Sequence, residues 1–133
     1  MAKTCQTYWN TISPENRHLW GAVPGTDGLV EACTLASDET TGDYTRLTRF
    51  LPGADSTSSS AKAHDYPEEV FIISGSLYDR AFDRWLRAGD YASRPPGEAH
   101  GGFRTDEGCL VLEVSFPSQA RRVRLPRNSG VRV

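Results

Sequence analysis

The sequence contains no apolar run near the roughly 18 to 20 residues that a membrane-spanning helix needs. Its start, MAKTCQTYWN, carries no signal-peptide apolar core. These absences lead us to expect a cytoplasmic protein with no membrane partner. Charge of one sign is also scarce: 15 Lys and Arg against 17 Asp and Glu leave a formal net charge of −2. So balanced a chain raises no global field toward nucleic acid or anionic lipid, and the expected partner is a small molecule. Cysteine is sparse, and Cys5, Cys33 and Cys109 are too far apart to form a CxxC pair, so no thiol-rich zinc or redox motif is present. Cys33 in LVEACTLA and Cys109 in CLVLEVSF read as buried small hydrophobes rather than nucleophiles. Missing as well are a G-x-S-x-G elbow, a phosphate-binding P-loop and a dinucleotide fingerprint. The serine hydrolase, NTPase and nicotinamide oxidoreductase classes fall away with them.

What remains is a rhythm of short apolar or alternating runs cut by Gly, Pro, Asp and Ser, which means strands and turns. The runs fall at 28–36, 43–51, 69–80, 91–94, 109–116 and 120–125, and a chain of 133 residues with 38% hydrophobic content fits one domain over 1–133 with a core at about 20–126. The best helical candidate is SPENRHLW, with Ser13 as a cap, Pro14 at the first helical position and Glu15 in the first turn. It would be one or two turns long.

Alternation assigns faces. In 109–116, Leu110, Leu112, Val114 and Phe116 share one side, and Cys109, Val111, Glu113 and Ser115 the other. A barrel accommodates this if one row packs beneath covering segments while the other lines a cavity. Glu113 is expected to face solvent, because Glu is rarely buried, with the pocket as the alternative. ADSTSSSAKA reads as a flexible loop, and the arginine-rich QARRVRLPRNSGVRV as an edge strand and tail kept soluble by charge, with an anion or partner site as the alternative.

Two segments carry chemistry: HDYPEEVFIISG at 64–75 and GDYASRPPGEAH at 89–100. In a strand over 68–74, Glu68, Val70, Ile72 and Ser74 point one way, and Glu69, Phe71 and Ile73 the other. His64 lies an even number of residues before Glu68, so extended chain puts both side chains on one side. Gly75 and the Gly89-Asp90 pair are read as tight turns. Pro95, Pro96 and Gly97 bend the chain just before His100, as a barrel corner that aims an imidazole inward would. His64, Glu68 and His100 then form a two-histidine, one-carboxylate set suited to non-haem Fe(II), with Mn, Ni and Zn as other divalent candidates. His18, with no partner in either segment, reads as an ordinary surface or structural histidine. Val70 and Ile72 are expected to line the pocket, with Arg46, Arg49 and Glu113 as candidates for contact with polar substrate groups.

Gly89, Pro95, Gly97 and His100 match the second cupin motif, G-x5-P-x-G-x2-H, without gaps, and His64, Glu68 and Gly75 fit the first, G-x5-H-x-H-x(3,4)-E-x6-G. TGDYTRLTRFLPG, PEEVFIISGSLYD, RPPGEAHGGF and DEGCLVLEV extend the likeness over about 20–116, and the chain resembles cupins related to the ChrR anti-sigma factor and to acetylacetone-cleaving dioxygenases. The resemblance implies an all-β, double-stranded β-helix (jelly-roll) barrel with a short N-terminal helical or extended segment. It also implies a metal, Fe(II) first, a diketone or hydroxyketone substrate and a homodimer. The chain departs from the motif at Lys62, which stands where the family has the first histidine of H-x-H; iron is held by three histidines in the acetylacetone-cleaving relatives. Lys62 is either a solvated loop residue or, if it points inward, a replacement for the metal, a partner of Glu68 or a general base. The activities implied are dioxygenase-like or carbon–carbon-cleaving chemistry, metal-assisted lyase, isomerase or cyclase chemistry, or ligand sensing without catalysis.

Overall fold

The computed structural model describes residues 2–59 and 61–120. The N-terminal segment holds strand β1 (Thr4–Cys5), a 3-10 helix (Pro14–Leu19) and strand β2 (Gly21–Ala22). The barrel follows as β3 (Val30–Ser37), β4 (Tyr44–Phe50), β5 (Glu68–Asp79), β6 (Arg84–Arg87), β7 (Tyr91–Arg94), β8 (Phe103–Arg104) and β9 (Cys109–Ser115), with a last 3-10 turn at Pro117–Gln119. Every pairing is antiparallel, and the main order is β1-β3-β4-β9-β5-β6, with β2 on β3 and both β7 and β8 on β5. The all-β jelly-roll expectation is met. Of the run at 120–125, only Ala120 lies among the described residues, just beyond the last 3-10 turn. No helix among the described residues is long and apolar enough to cross a membrane.

Alternation along the central strands separates two cores. On the inner face, Val70, Ile72, Leu77, Leu86, Cys109 and Val111 form a buried apolar floor, joined by Phe50, Ala92 and Phe103. On the outer face, Trp20, Cys33 and Leu47 pack with Trp9, Leu35, Leu110 and Leu112 beneath the N-terminal segment. That segment is pinned by polar contacts too: the Trp20 indole donates to the Thr11 carbonyl, and Arg17 and Arg49 both reach the buried Glu31. Arg49 thus belongs to the outer face, where its guanidinium also lies over the Trp20 ring. It is not a pocket residue, because it sits one position out of phase with Arg46. Cys33 and Cys109 are buried as expected and Cys5 is exposed. Burial pushes the Cys109 thiol up to about 12, with Glu107 adding to it, which keeps it protonated and unreactive.

Several local expectations change. SPENRHLW is a 3-10 helix, with Pro14 in its first turn, but the Ser13 side chain makes no capping bond; its hydroxyl donates to the Asn10 carbonyl and to Glu15. The Glu68, Val70, Ile72 row is inward and buried, but a register shift between Ile72 and Ser74 leaves Ser74 exposed. Gly75 is no turn. It lies inside β5 at φ +77°, where the strand bends from pairing with β7 and β9 to pairing with β6 and β8. A Cβ there would collide with the Gly108 carbonyl. Strand β6, RWLR, falls outside the runs read from the sequence, because arginines flank its Trp-Leu pair and leave no apolar run.

Positive φ and backbone collision act together at Gly75, so Gly75→Ala should lower stability by about 2 kcal/mol or more, measured by chemical denaturation. A Gly89→Ala control, also at positive φ but with open space around the added methyl, should cost about 1 kcal/mol.

Candidate metal centre

The site forms where the two motif segments meet. Lys62 and His100 exchange backbone hydrogen bonds of 2.8 Å in both directions, and the Gly97 amide donates to the His64 carbonyl at 2.7 Å. These bonds need no particular side chain. They hold the His64 and His100 backbones side by side, with Gly97 at φ +83° in the corner made by Pro95 and Pro96. Glu68 opens β5, buried to 5% exposure, and His100 is buried to 7%. His64 is half-buried.

The three side chains expected to act together do converge: ligand atoms of His64, Glu68 and His100 all lie within 4.8 Å of one another. Metal bonds of roughly 2.1 Å place neighbouring donors about 3 to 4 Å apart, so the three side chains would draw together slightly to hold one ion. Two further contacts suit such an ion. His100 Nδ1 lies 3.2 Å from the Glu98 carbonyl; donating there fixes the tautomer that leaves Nε2 with a free lone pair. Ser115 donates to Glu68 Oε2 at 2.8 Å, while Oε1 has no bond to a described residue. The donor set therefore fits a divalent metal, and the cupin fold suggests one. His64 and His100 rings lie 5.1 Å apart, and Tyr66 stacks on His64 at 4.8 Å.

The wall beside the triad is polar. Register places Tyr44 opposite Ser115 and Ser115 opposite Glu68, then Arg46 opposite Glu113 and Glu113 opposite Val70. Glu113 consequently turns inward, against the expectation of a solvent-facing carboxylate. It accepts a 2.7 Å bond from Arg46 Nε and another from the Thr48 hydroxyl, and its side chain is 15% exposed. The burial penalty that argued against this position is offset by a cation and a hydroxyl from β4, more than sixty residues away in sequence. Burial weighs against the Arg46 charge, yet Glu113 outweighs it and holds that guanidinium above its ordinary value. Burial likewise raises the Tyr44 and Tyr66 phenols, helped in both cases by Glu68.

Lys62 is exposed, with no ion pair to a described residue. As the direct antiparallel partner of His100, it starts from the same face of the sheet. His18 is exposed in the N-terminal 3-10 helix and has no part in the cluster. The sequence did not single out Ser115, Tyr44 or Tyr66 for the site. Ser115 was legible only as a member of the inward row, and Tyr66 only through its even spacing from both His64 and Glu68.

Fold and cluster together define a cupin. The model of the ChrR cupin-like domain matches residues 14–119, and the chain belongs to that family. Among solved structures, an acetylacetone dioxygenase from Acinetobacter johnsonii is 17% identical with a TM-score of 0.64, covering 100% of this chain and 87% of its own. KdgF from a Halomonas species is 20% identical with a TM-score of 0.60, covering 77% of this chain and 86% of its own. The polyketide cyclase RemF from Streptomyces resistomycificus is 21% identical with a TM-score of 0.57, covering 77% and 75%. These likenesses establish the fold. An endo-1,4-β-xylanase B from Cellvibrio japonicus is 29% identical over 98 residues, 69% of this chain but 14% of that protein, so the chain spans about one seventh of that relative's length.

Ser115 is fully buried and its hydroxyl bond orients Glu68. Ser115→Ala should weaken divalent-metal affinity about tenfold by competition against a fluorescent chelator. The thermal midpoint of the metal-free protein should shift far less than the affinity implies.

Proposed function

We propose that this cupin is a metal-dependent enzyme acting on a small oxygenated substrate, a diketone or hydroxyketone, in dioxygenase-like or carbon–carbon-cleaving chemistry. The observation that carries the reading is the convergence of His64, Glu68 and His100 in a site also lined by phenols and a paired arginine. These three residues would hold the ion, with Fe(II) the first candidate. When bound, such a metal supplies Lewis acidity toward the substrate oxygens and, as Fe(II), a means of engaging O₂. The protein's own groups do the rest. Glu68, oriented by Ser115, and His100, oriented by the Glu98 carbonyl, keep the donors fixed. Val70 and Ile72 exclude water beneath them. The phenols of Tyr44 and Tyr66 are proton donors at neutral pH and can bind an enolate oxygen.

Those phenols favour a second reading: a lyase, isomerase or cyclase in which the metal acts as Lewis acid and a tyrosine donates the proton, with no oxygen consumed. One experiment separates the two. Protein purified anaerobically should carry about one divalent ion per chain by mass spectrometry, lost in His64→Ala and His100→Ala. The Fe(II) form should take up O₂ with simple β-diketones. Solvent deuterium exchange into a hydroxyketone, faster than without protein and without O₂ uptake, would select the second reading. Protein that contains no metal and binds none of added Fe, Mn, Ni or Zn would remove both.

A further inference from the structure

Within the inward row, Arg46 is held in an unusual way. Its Nε edge is taken by Glu113 at 2.7 Å, and its plane lies over the Tyr44 ring at 4.8 Å. Two contacts of different kinds therefore fix the direction of the guanidinium. Neither uses the two terminal nitrogens, which make no hydrogen bond to a described residue. A planar fork whose orientation is set from behind and whose front donors are free is the arrangement that receives a carboxylate or similar oxyanion through two parallel hydrogen bonds. The side chain is 36% exposed, so the fork is open to a ligand rather than sealed in the core.

Position gives the fork its meaning. Arg46 on β4 shares the inner face with Glu68 on β5, two strands away across β9, which at the usual strand spacing is about 10 Å. A small molecule bound by oxygens at the triad would have its far end on this side of the pocket. We infer that the pocket takes an oxo-acid: a ligand with paired carbonyl or hydroxyl oxygens at the triad end and a carboxylate at the other, received by Arg46 with Glu113 and Tyr44 as its support. The inference rests on the metal reading for the first end of the ligand and is independent of it for the second. Charge agrees. A divalent ion at the triad, set against Glu68, Glu113 and Arg46, leaves the interior positive, which suits an anion better than a neutral ketone.

The test compares 4,6-dioxoheptanoate with its methyl ester, the same diketone with its carboxylate capped. Titrated calorimetrically into metal-loaded protein whose metal content has been measured, the acid should bind about tenfold or more tightly than the ester, the scale of a charge-assisted hydrogen-bond pair. In Arg46→Gln, which can keep a hydrogen bond to Glu113 without the charged fork, the preference should vanish while metal content stays at the wild-type level. Equal binding of acid and ester by wild type overturns the inference, as does an acid preference that survives in Arg46→Gln. The wild-type comparison needs no variant, so a misfolded substitution does not block it. In metal-free protein the same pair is followed by saturation-transfer NMR, where the acid alone should bind. Acid binding there, with no metal ever taken up, would keep the oxo-acid subsite and discard the metalloenzyme; acid and ester behaving alike there would discard the subsite even if metal binds.

Discussion

Strand β5 has to serve both sheets of the barrel, and the site depends on its doing so without a break. Its first half pairs with β7 and β9, its second with β6 and β8, and the glycine at its bend lets the Gly108 carbonyl pass where a side chain would stand. Glu68 begins the strand and Asp79 ends it, and both ends return to the triad. Asp79 Oδ1 accepts from the Gly101 amide at 3.1 Å, next to His100, while the Arg80 and Ala81 amides donate to the carbonyls of Gly102 and Gly101. Asp79 also faces Arg94 at 3.1 Å in a pair exposed by only 2% and 7%. Arg94, in turn, is the register partner of Glu68. A single strand thus carries one candidate ligand and anchors the loop beside another. Removing one member of so deeply buried a pair typically costs about 3 to 5 kcal/mol.

The inner face changes character along its length. Ile72, Val111 and Cys109 form the dry end, while Glu68, Ser115, Tyr44, Glu113 and Arg46 occupy the other. Polar groups are sustainable at that end because nearly every one has a partner: Ser115 for Glu68, Arg46 and Thr48 for Glu113, the Tyr44 ring for Arg46. The apolar floor gives rigidity, and the paired polar end gives fixed donors and acceptors of known direction. Electrostatic interactions with a ligand are strengthened there because little water competes. On the outside, Phe71, Ile73 and Tyr91 remain 42%, 43% and 57% exposed, beyond the region that the N-terminal segment covers.

How far the sequence could be read follows from the range of the interactions involved. Period-two alternation is local, so the inward placement of Glu68, Val70 and Ile72 was legible, as were the convergence of His64 with Glu68 and the corner before His100. Ser74 escaped because a bulge breaks the period two residues after Ile72. Gly75 was misread as a turn because a glycine at positive φ looks the same in sequence whether the chain reverses or only bends. Glu113 was misplaced by a rule about lone carboxylates; its partners lie on β4, and only the β4–β9 register reveals them. Arg46 and Arg49 looked equivalent for the same reason. One odd interval puts the first beside Glu113 in the pocket and the second beside Glu31 outside it.

The departure at Lys62 shows how the ligand set and the fold are decoupled. The bond pair that docks this residue to His100 is made entirely by main-chain atoms, so the side chain at 62 does not determine where His100 stands. An imidazole can be exchanged for an ammonium there while the geometry of His64, Glu68 and His100 is left to the Gly97, Glu98 and Ser115 contacts. A metal here would be held by His64, Glu68 and His100, with no donor from position 62. An exposed cation at that edge would add to the preference for an anionic ligand proposed for Arg46. The two cations differ in exposure: Lys62 is in solvent, where its field is screened within about 8 Å at physiological salt, while Arg46 is partly covered and paired with Glu113. On the proposed reading, discrimination between acids and neutral ketones would belong to Arg46, and Lys62 would add to the rate at which anions arrive.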